Sequence, residues 1–247
     1  PASVEECFSF ALEAFELAEK FQTPVFVMSD LDLGMNNWMA DPFAYPEKPI
    51  HRGKVLSEED LQRLGGFGRY KDVDGDGIAY RTLPGTNHPQ AGYFTRGSGH
   101  NEKAQYSERP DDYVRNVDRL ARKLETARSF VPAPVLEGAG TPIGVIAYGS
   151  SHWAMLETRD QLSREAQIEV DYLRLRGFPF SKEVHEFVKG HDRVYVVEQN
   201  RDGQMLELLK LDLPADQIVK LRSVLHYNGL PIDARSVTDA IISQESK

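Results

Sequence analysis

The chain has 247 residues and a formal net charge of −9, with 38 acidic residues against 29 lysines and arginines. No basic stretch of the kind that neutralises phosphates is present, which argues against nucleic-acid binding, and the apolar runs are too short to cross a membrane as a helix. The single cysteine, Cys7, excludes an internal disulfide and any cluster held by several thiolates of this chain.

The length suits one large domain or two small ones. A basic segment followed by an apolar one is missing from the N-terminus, so no secretory signal is read and a cytoplasmic protein is expected. Pro1 stands directly before a helix pattern, as in a piece of something longer or a processed product. Ser3 followed by Glu6 is a capping-box signature. Val4, Phe8, Ala11, Phe15 and Ala18 then recur at helical spacing, with Cys7 near that face as a small core residue. Pro24 closes the helix region. Val25-Phe26-Val27-Met28 predicts a buried parallel strand that runs into Ser29 and Asp30.

Residues 31–100 are irregular, with Asn36, Asn37, Pro42, Pro46 and Pro49 marking loops and Ser57 capping a short helix through Leu64. Asp72-Val73-Asp74-Gly75-Asp76-Gly77 matches the first half of a calcium loop, but the twelfth position, which needs a bidentate Glu, is Leu83. A β-hairpin with strands at 68–71 and 78–83 is the expectation. No metal is assigned, and Asp72, Asp74 and Asp76 stay only as cation candidates. Gly97, Gly99 and His100 permit either close backbone approach to a ligand or a packed turn. No His/Asp/Glu set here has zinc spacing.

Asp111 or Asp112 begins an amphipathic helix, with Val114, Val117, Leu120, Ala121, Leu124 and Ala127 expected inward. Arg115, Arg119, Arg122, Lys123 and Arg128 are expected on its outer side. Residues 130–142, rich in proline and glycine, read as a domain linker. Regular alternation follows: strand 143–148, a tight turn at Gly149-Ser150-Ser151, and a helix 152–166 with Trp153, Leu156 and Leu162 apolar. Strand 170–175, a turn at 177–180 and a helix capped by Ser181 through Val188 come next. Strand 194–197, a helix 204–211 with Met205, Leu208, Leu209 and Leu211 apolar, an extended 219–224 and a helix 233–242 complete the pattern. It implies an open parallel sheet with helices on both faces. The strand 194–197 ends in Glu198, Gln199 and Asn200, and such a strand end is where an open parallel sheet places a ligand or partner.

The joint Glu198-x-Asn200-x-x-Gly203-Gln204 after a buried strand resembles the α chain of 2-oxoacid:ferredoxin oxidoreductases, the thiamine-diphosphate enzymes. Three more segments resemble it in the same order: SVEECFSFALEAFELAEKFQTPVFVMSD, GYFTRGSGHNE with RLARKLE after it, and PIGVIAYGSSHWA with YLRLRGFPFS. The likeness is greatest to the 2-oxoglutarate type, with pyruvate next, although the motifs do not choose the oxoacid. It implies an α/β fold: the C-terminal part of a thiamine-diphosphate pyrimidine-type domain over 1–100, helix and linker over 101–141, and a transketolase-C-terminal-like sheet over 142–247.

The resemblance also implies oxidative decarboxylation of a 2-oxoacid to an acyl-CoA, with electrons passed to ferredoxin. Thiamine diphosphate with Mg and an iron–sulfur cluster are expected mostly on a partner β chain, coenzyme A as co-substrate, and an αβ dimer of dimers as the assembly. The family's catalytic segments are expected upstream of Pro1, so this chain carries no complete catalytic set. Asp30, Arg96 and His100 are candidates for facing the cofactor or substrate. Gly149, Ser150, Glu198, Asn200 and Gln204 are candidates for an anion-binding turn or an interdomain or subunit network, with local capping the alternative for each. Two other readings stand beside this one: a thiamine-dependent dehydrogenase β chain or transketolase-like enzyme, and a non-catalytic docking module.

Overall fold

The computed structural model describes residues 1–94 and 97–246. Helix α1 (Val4–Phe21) starts where Ser3 Oγ accepts from the Glu6 N–H at 3.2 Å. The reciprocal half of the capping box is absent, because the Glu6 carboxylate takes the Ala2 N–H instead. Then come α2 (Leu31–Met35), α3 (Glu58–Leu64) and α4 (Pro110–Ala127). Ser57 and Asp60 form the full capping box of α3, and Gly65 ends it at a positive φ of 64°. Contacts divide the chain into two units: residues 1–11, 27–44 and 131–247, and residues 12–26 and 45–130.

The first unit is built on a five-stranded sheet. Its strands are β1 (Val135–Glu137), β2 (Ile143–Tyr148), β3 (Asp171–Leu175), β4 (Arg193–Glu198) and β5 (Leu221–Leu225). The order is β1-β3-β2-β4-β5, with the last four mutually parallel and β1 antiparallel on β3. Between them run α5 (Ser151–Ala166), α6 (Lys182–Gly190), α7 (Gln204–Asp212) and α8 (Ala215–Ile218), and α9 (Ala234–Glu245) closes the unit. Alternation along each strand separates two cores. Ile146, Val194 and Val196 meet Phe187 and Leu209 on the α6/α7 face, while Val145, Tyr195 and Val197 meet Met155 and Ile241 on the α5/α9 face. A continuous apolar run such as Val194–Val197 is therefore needed, since both sides of β4 are covered.

Residues 130–142, expected as a linker, instead supply β1 and then wrap a carboxylate. Asp171 accepts from the N–H groups of Ala139, Gly140 and Thr141 at 3.0–3.2 Å. A Cβ at Gly138 would lie 2.3 Å from Asp171 Cγ, so the glycine there is a packing requirement. Two helix faces also differ in detail from the periodicity. In α5 the buried apolar residues are Met155 and Leu162, with Trp153 and Leu156 partly exposed. In α7 they are Leu206 and Leu209, with Leu208 and Leu211 outward, because the left-handed Gly203 sets where the helix begins.

Three expectations fail, for related reasons. Val25-Phe26-Val27-Met28 is not a buried strand: Phe26 and Met28 are 83% and 82% exposed, and among the described residues no neighbouring strand pairs with it. A strand needs a ladder partner, which apolar content does not supply. On α1, Phe15 is exposed while Phe10 and Phe21 are buried.

The hairpin around the aspartates does not form either. The Asp72 carboxylate accepts from the N–H groups of Gly75 and Gly77. Lys54 Nζ occupies the place of the cation, 2.5 Å from Asp74, 2.8 Å from Asp76 and 3.1 Å from the Ile78 carbonyl.

The third failure is the largest. Helix α4 turns its polar side inward: Asp112 and Arg119 are buried, while Tyr113 is 70% and Leu124 51% exposed, with Val114, Val117 and Leu120 beside them. The neighbours of α4 in the second unit are loops and the last residue of α1, whose carbonyls have no ladder or helix partners. Arg119 donates to Gly77 O, Lys123 to Phe21 O, Thr126 to Asp76 O and Asn116 to His100 O. Satisfying those carbonyls decides which face packs. Gly77 permits the approach, since a Cβ there would stand 2.3 Å from Lys123 N.

Candidate functional site

In the first unit, β2 leads through α5 to β3 on one side, and β3 leads through α6 to β4 on the other. The chain therefore reverses direction between β2 and β4, which is the crevice where open α/β sheets bind ligands. Gly149, with φ of 58°, turns the chain from β2 into α5 and puts Ser150 at the helix N-cap. Gln199 leaves the end of β4 and crosses the crevice. Its Nε2 donates to Ser151 Oγ at 3.0 Å and lies 3.3 Å from Ser150 Oγ, and its Oε1 accepts from the Ile232 N–H.

The anion at this helix start is Asp30 of the same chain. Ser150 Oγ donates to Asp30 Oδ2 at 2.6 Å, while Asp30 Oδ1 caps α2 through the Leu33 N–H. A carboxylate beside the N-terminus of α5 is also favoured by the helix dipole. Around it the N-terminal segments cover the strand ends. Trp153 Nε1 donates to the Ala2 carbonyl at 2.7 Å, and Trp38 packs against Trp153 with centroids 5.8 Å apart. Glu6 receives a bidentate pair from Arg174 at 2.7 and 2.8 Å and a third bond from Arg176 at 3.0 Å. Burial works against the Glu6 carboxylate, but the Arg174 bonds, the Ala2 N–H and the charges of Arg174 and Arg176 outweigh it and hold its pKa at about 2. His152 lies beside Tyr172, Nδ1 to hydroxyl 3.1 Å. Burial, followed by the charge of Arg174, keeps this imidazole below its ordinary value and hence neutral at pH 7.

Glu198 and Asn200 are used differently. Glu198 is fully buried, and its carboxylate accepts from the N–H groups of Met205 and Leu206 at 2.7 and 3.0 Å, so it caps α7. Asn200 donates to Glu198 at 2.8 Å and accepts from the N–H groups of Asp202, Gly203 and Gln204. Tyr148 stands over the pair, and burial together with the Glu198 charge pushes its hydroxyl up to about 12. The motif around Glu198 thus closes on itself as capping and turn chemistry, while Gln204 and the intervening Gln199, Arg201 and Asp202 are exposed.

The structure therefore brings Asp30, Gly149 and Ser150 together, and adds Gln199, Glu6 and Arg174, which sequence reasoning missed. One signal was available: Arg174 interrupts an apolar strand and Arg176 follows it, and half-buried arginines in such a place call for an acid. His100 lies in the second unit, its ring 3.9 Å from that of Tyr70 and its Nδ1 near the Ser98 carbonyl. Arg96 lies outside the described residues. No group of three His, Cys, Asp or Glu side chains among the described residues is placed to hold a metal ion.

No family model matches the sequence. The curated relatives are consistent with one another. The chain is 29% identical to subunit alpha of a 2-oxoacid:ferredoxin oxidoreductase of Aeropyrum pernix over 247 positions, covering 96% of this chain and 36% of the relative. It is 30% identical to the 2-oxoglutarate synthase subunit KorA of Methanothermobacter thermautotrophicus over 215 positions, 83% of this chain and 52% of that one. Among solved structures, a 2-oxoglutarate:ferredoxin oxidoreductase of Magnetococcus marinus superposes with a TM-score of 0.82, at 24% identity, over 99% of this chain and 41% of the other. That likeness establishes the fold. The chain spans about a third to about half of the length of these curated relatives. On the curated relatives that align along nearly its whole length, the chain belongs to the α-subunit family of the 2-oxoacid:ferredoxin oxidoreductases.

Proposed function

We propose that this chain is the C-terminal portion of an α subunit in an enzyme that oxidatively decarboxylates a 2-oxoacid, with 2-oxoglutarate favoured and pyruvate next. In the reaction the oxoacid and coenzyme A give an acyl-CoA, CO2 and a proton, while two ferredoxins each take one electron. The observation that carries this reading is the alignment of 96% of the chain with such subunits. Residues 1–100 then include the last part of a thiamine-diphosphate pyrimidine-type domain, and the exposed Val25–Met28 segment would pair with strands supplied by the rest of the subunit.

The residues present suit a scaffold more than a cofactor cage. One cysteine cannot ligate an iron–sulfur cluster, so this reading assigns the cluster to another part of the complex, a partner β chain. Asp30, the candidate nearest a strand end, is committed to Ser150 and to α2. What this chain contributes is position: Asp30–Ser150–Gln199 and Glu6–Arg174–Arg176 fix residues 1–11 and 27–44 against the carboxyl ends of β2 and β3. Thiamine diphosphate, held elsewhere in the complex, supplies the carbanion chemistry. A cytoplasmic αβ dimer of dimers that reduces ferredoxin is the assembly this reading requires. The exposed apolar stripe of α4 fits a subunit that is covered in its complex. The same stripe supports a second reading, a docking module without a catalytic part.

The test uses the native complex that co-purifies with this chain. Anaerobic reduction of a viologen dye is followed with 2-oxoglutarate, pyruvate and branched-chain oxoacids, each with and without coenzyme A. Reduction requiring both an oxoacid and coenzyme A is the expected result. No reduction with any acid, in a complex shown to contain iron and thiamine diphosphate, would leave the docking module.

A further inference from the structure

The second unit holds a cavity of about 980 Å³, at the upper end of the range for small-molecule sites. One wall is the turn Gly65-Gly66-Phe67-Gly68 after α3, where chain meets chain closely: a Cβ at Gly68 would lie 2.9 Å from the Glu102 carbonyl. Arg63, Arg69, Lys71 and Lys103 line it against two acids, Asp60 and Glu102, so the lining carries a surplus of two positive charges in a chain of net −9. Asp60 is already engaged by the Ser57 cap and by Arg63 at 2.7 Å. Among the described residues Arg69, Lys71 and Lys103 form no ion pair.

The cationic surplus extends into the interior. Arg69 Nε is buried and has no hydrogen-bond partner among the described residues, and the same holds for Arg119 Nε. Both guanidiniums flank the Tyr70 ring, at 5.1 and 5.8 Å from its centroid. Burial first, and then the charge of Arg69, hold Arg119 below its ordinary value; Lys123 is lowered by burial and by both arginines. Asp72 acts on Arg119 as a counter-charge, but its carboxylate is paired with Arg122 at 3.1 Å, and buried guanidinium donors left open are costly unless an anion completes them. Flat surface is present beside them: Phe67 and Tyr93 meet edge to face at 6.0 Å, and the Arg69 guanidinium sits 5.6 Å from the Tyr93 centroid.

We propose that this cavity binds a nucleotide, with its phosphates held by Arg69 and Lys71 and its base against Phe67 and Tyr93. A guanidinium fork matches phosphate oxygens bidentately, and the aromatic faces accept a ring that inorganic phosphate lacks. The site is independent of the reading of the first unit.

Calorimetric titration of the full chain with ADP, with inorganic phosphate and adenosine in parallel, tests it. ADP is expected to saturate one site, at least tenfold tighter than either fragment, and to weaken as salt rises. Arg69→Gln and Lys71→Gln are each expected to weaken it tenfold or more, while Lys210→Gln on α7 leaves it unchanged. Coenzyme A is the control for the co-substrate of the proposed reaction: tighter binding than ADP overturns a separate nucleotide site, and equal or weaker binding supports it. Should a variant fail to fold, acetylation of the unaltered chain decides the matter, with Lys71 and Lys103 protected by ADP. Absence of saturable ADP binding, adenosine or phosphate binding equally well, or no protection of either lysine overturns the proposal.

Discussion

Ser150 joins two groups through one hydroxyl: it donates to Asp30 and lies in reach of Gln199, at the turn from β2 into α5. Ser150→Ala removes that donor from an exposed Asp30 that can turn to water, and a loss of about 0.5–1.5 kcal/mol is expected. Urea unfolding of the variant reads it, and an unchanged midpoint would reduce the contact to a coincidence of packing. Glu6 carries the pH dependence. Its folded pKa, about 2, is below the ordinary value of 4.5, so its contribution is fully present above pH 4.5 and is lost as pH falls toward 2. Taken at face value the shift corresponds to about 3 kcal/mol, and solvent screening of this half-buried carboxylate reduces that to about 2 kcal/mol. Comparing wild type with Glu6→Gln by denaturant midpoint at pH 7 and pH 3 isolates it: the variant is expected to be weaker at pH 7, with the gap narrowed at pH 3. At this scale the sequence was legible where partners are local. Ser57 with Asp60 reads off directly as a cap, whereas Glu6 with Arg174 is separated by 168 positions and leaves no spacing to read.

Among the elements, those of the first unit follow the periodicity closely: β2 spans Ile143–Tyr148 as its apolar run does, and β4 extends the run 194–197 by one residue at each end. Both are flanked by helices on each face, so hydrophobic pattern and burial coincide. Helix α4 was located well and oriented wrongly, because the rule that polar faces are wet fails beside loops with open carbonyls. Its exposed stripe leads to a prediction. Val117→Glu with Leu120→Glu is expected to leave the melting temperature of the isolated chain within about 1–2 °C, since ordinary surface changes cost little. The same pair is expected to prevent co-purification of the complex, and intact assembly would show that α4 faces solvent there too. Lys54 is a second case of an element decided by a distant group. Lys54→Met leaves Asp74 and Asp76 facing each other without their cation, and a loss of about 1 kcal/mol, recovered in part by salt, is expected in thermal melts.

For the whole molecule, composition, one cysteine, the alternation after residue 142 and the order of four motifs were enough to identify the sheet and the family, because each is carried by residues close together in the chain. A parallel sheet buried on both faces writes its strands as continuous apolar runs, and turn residues mark where they end. Tertiary structure alone decided three things. It put Asp30 on Ser150, made residues 135–137 an edge strand instead of a linker, and turned α4 inside out. Each depends on a partner far away in sequence, a carboxylate, a ladder or a set of unsatisfied carbonyls, and hydrogen-bond demand of that kind has no period along the chain.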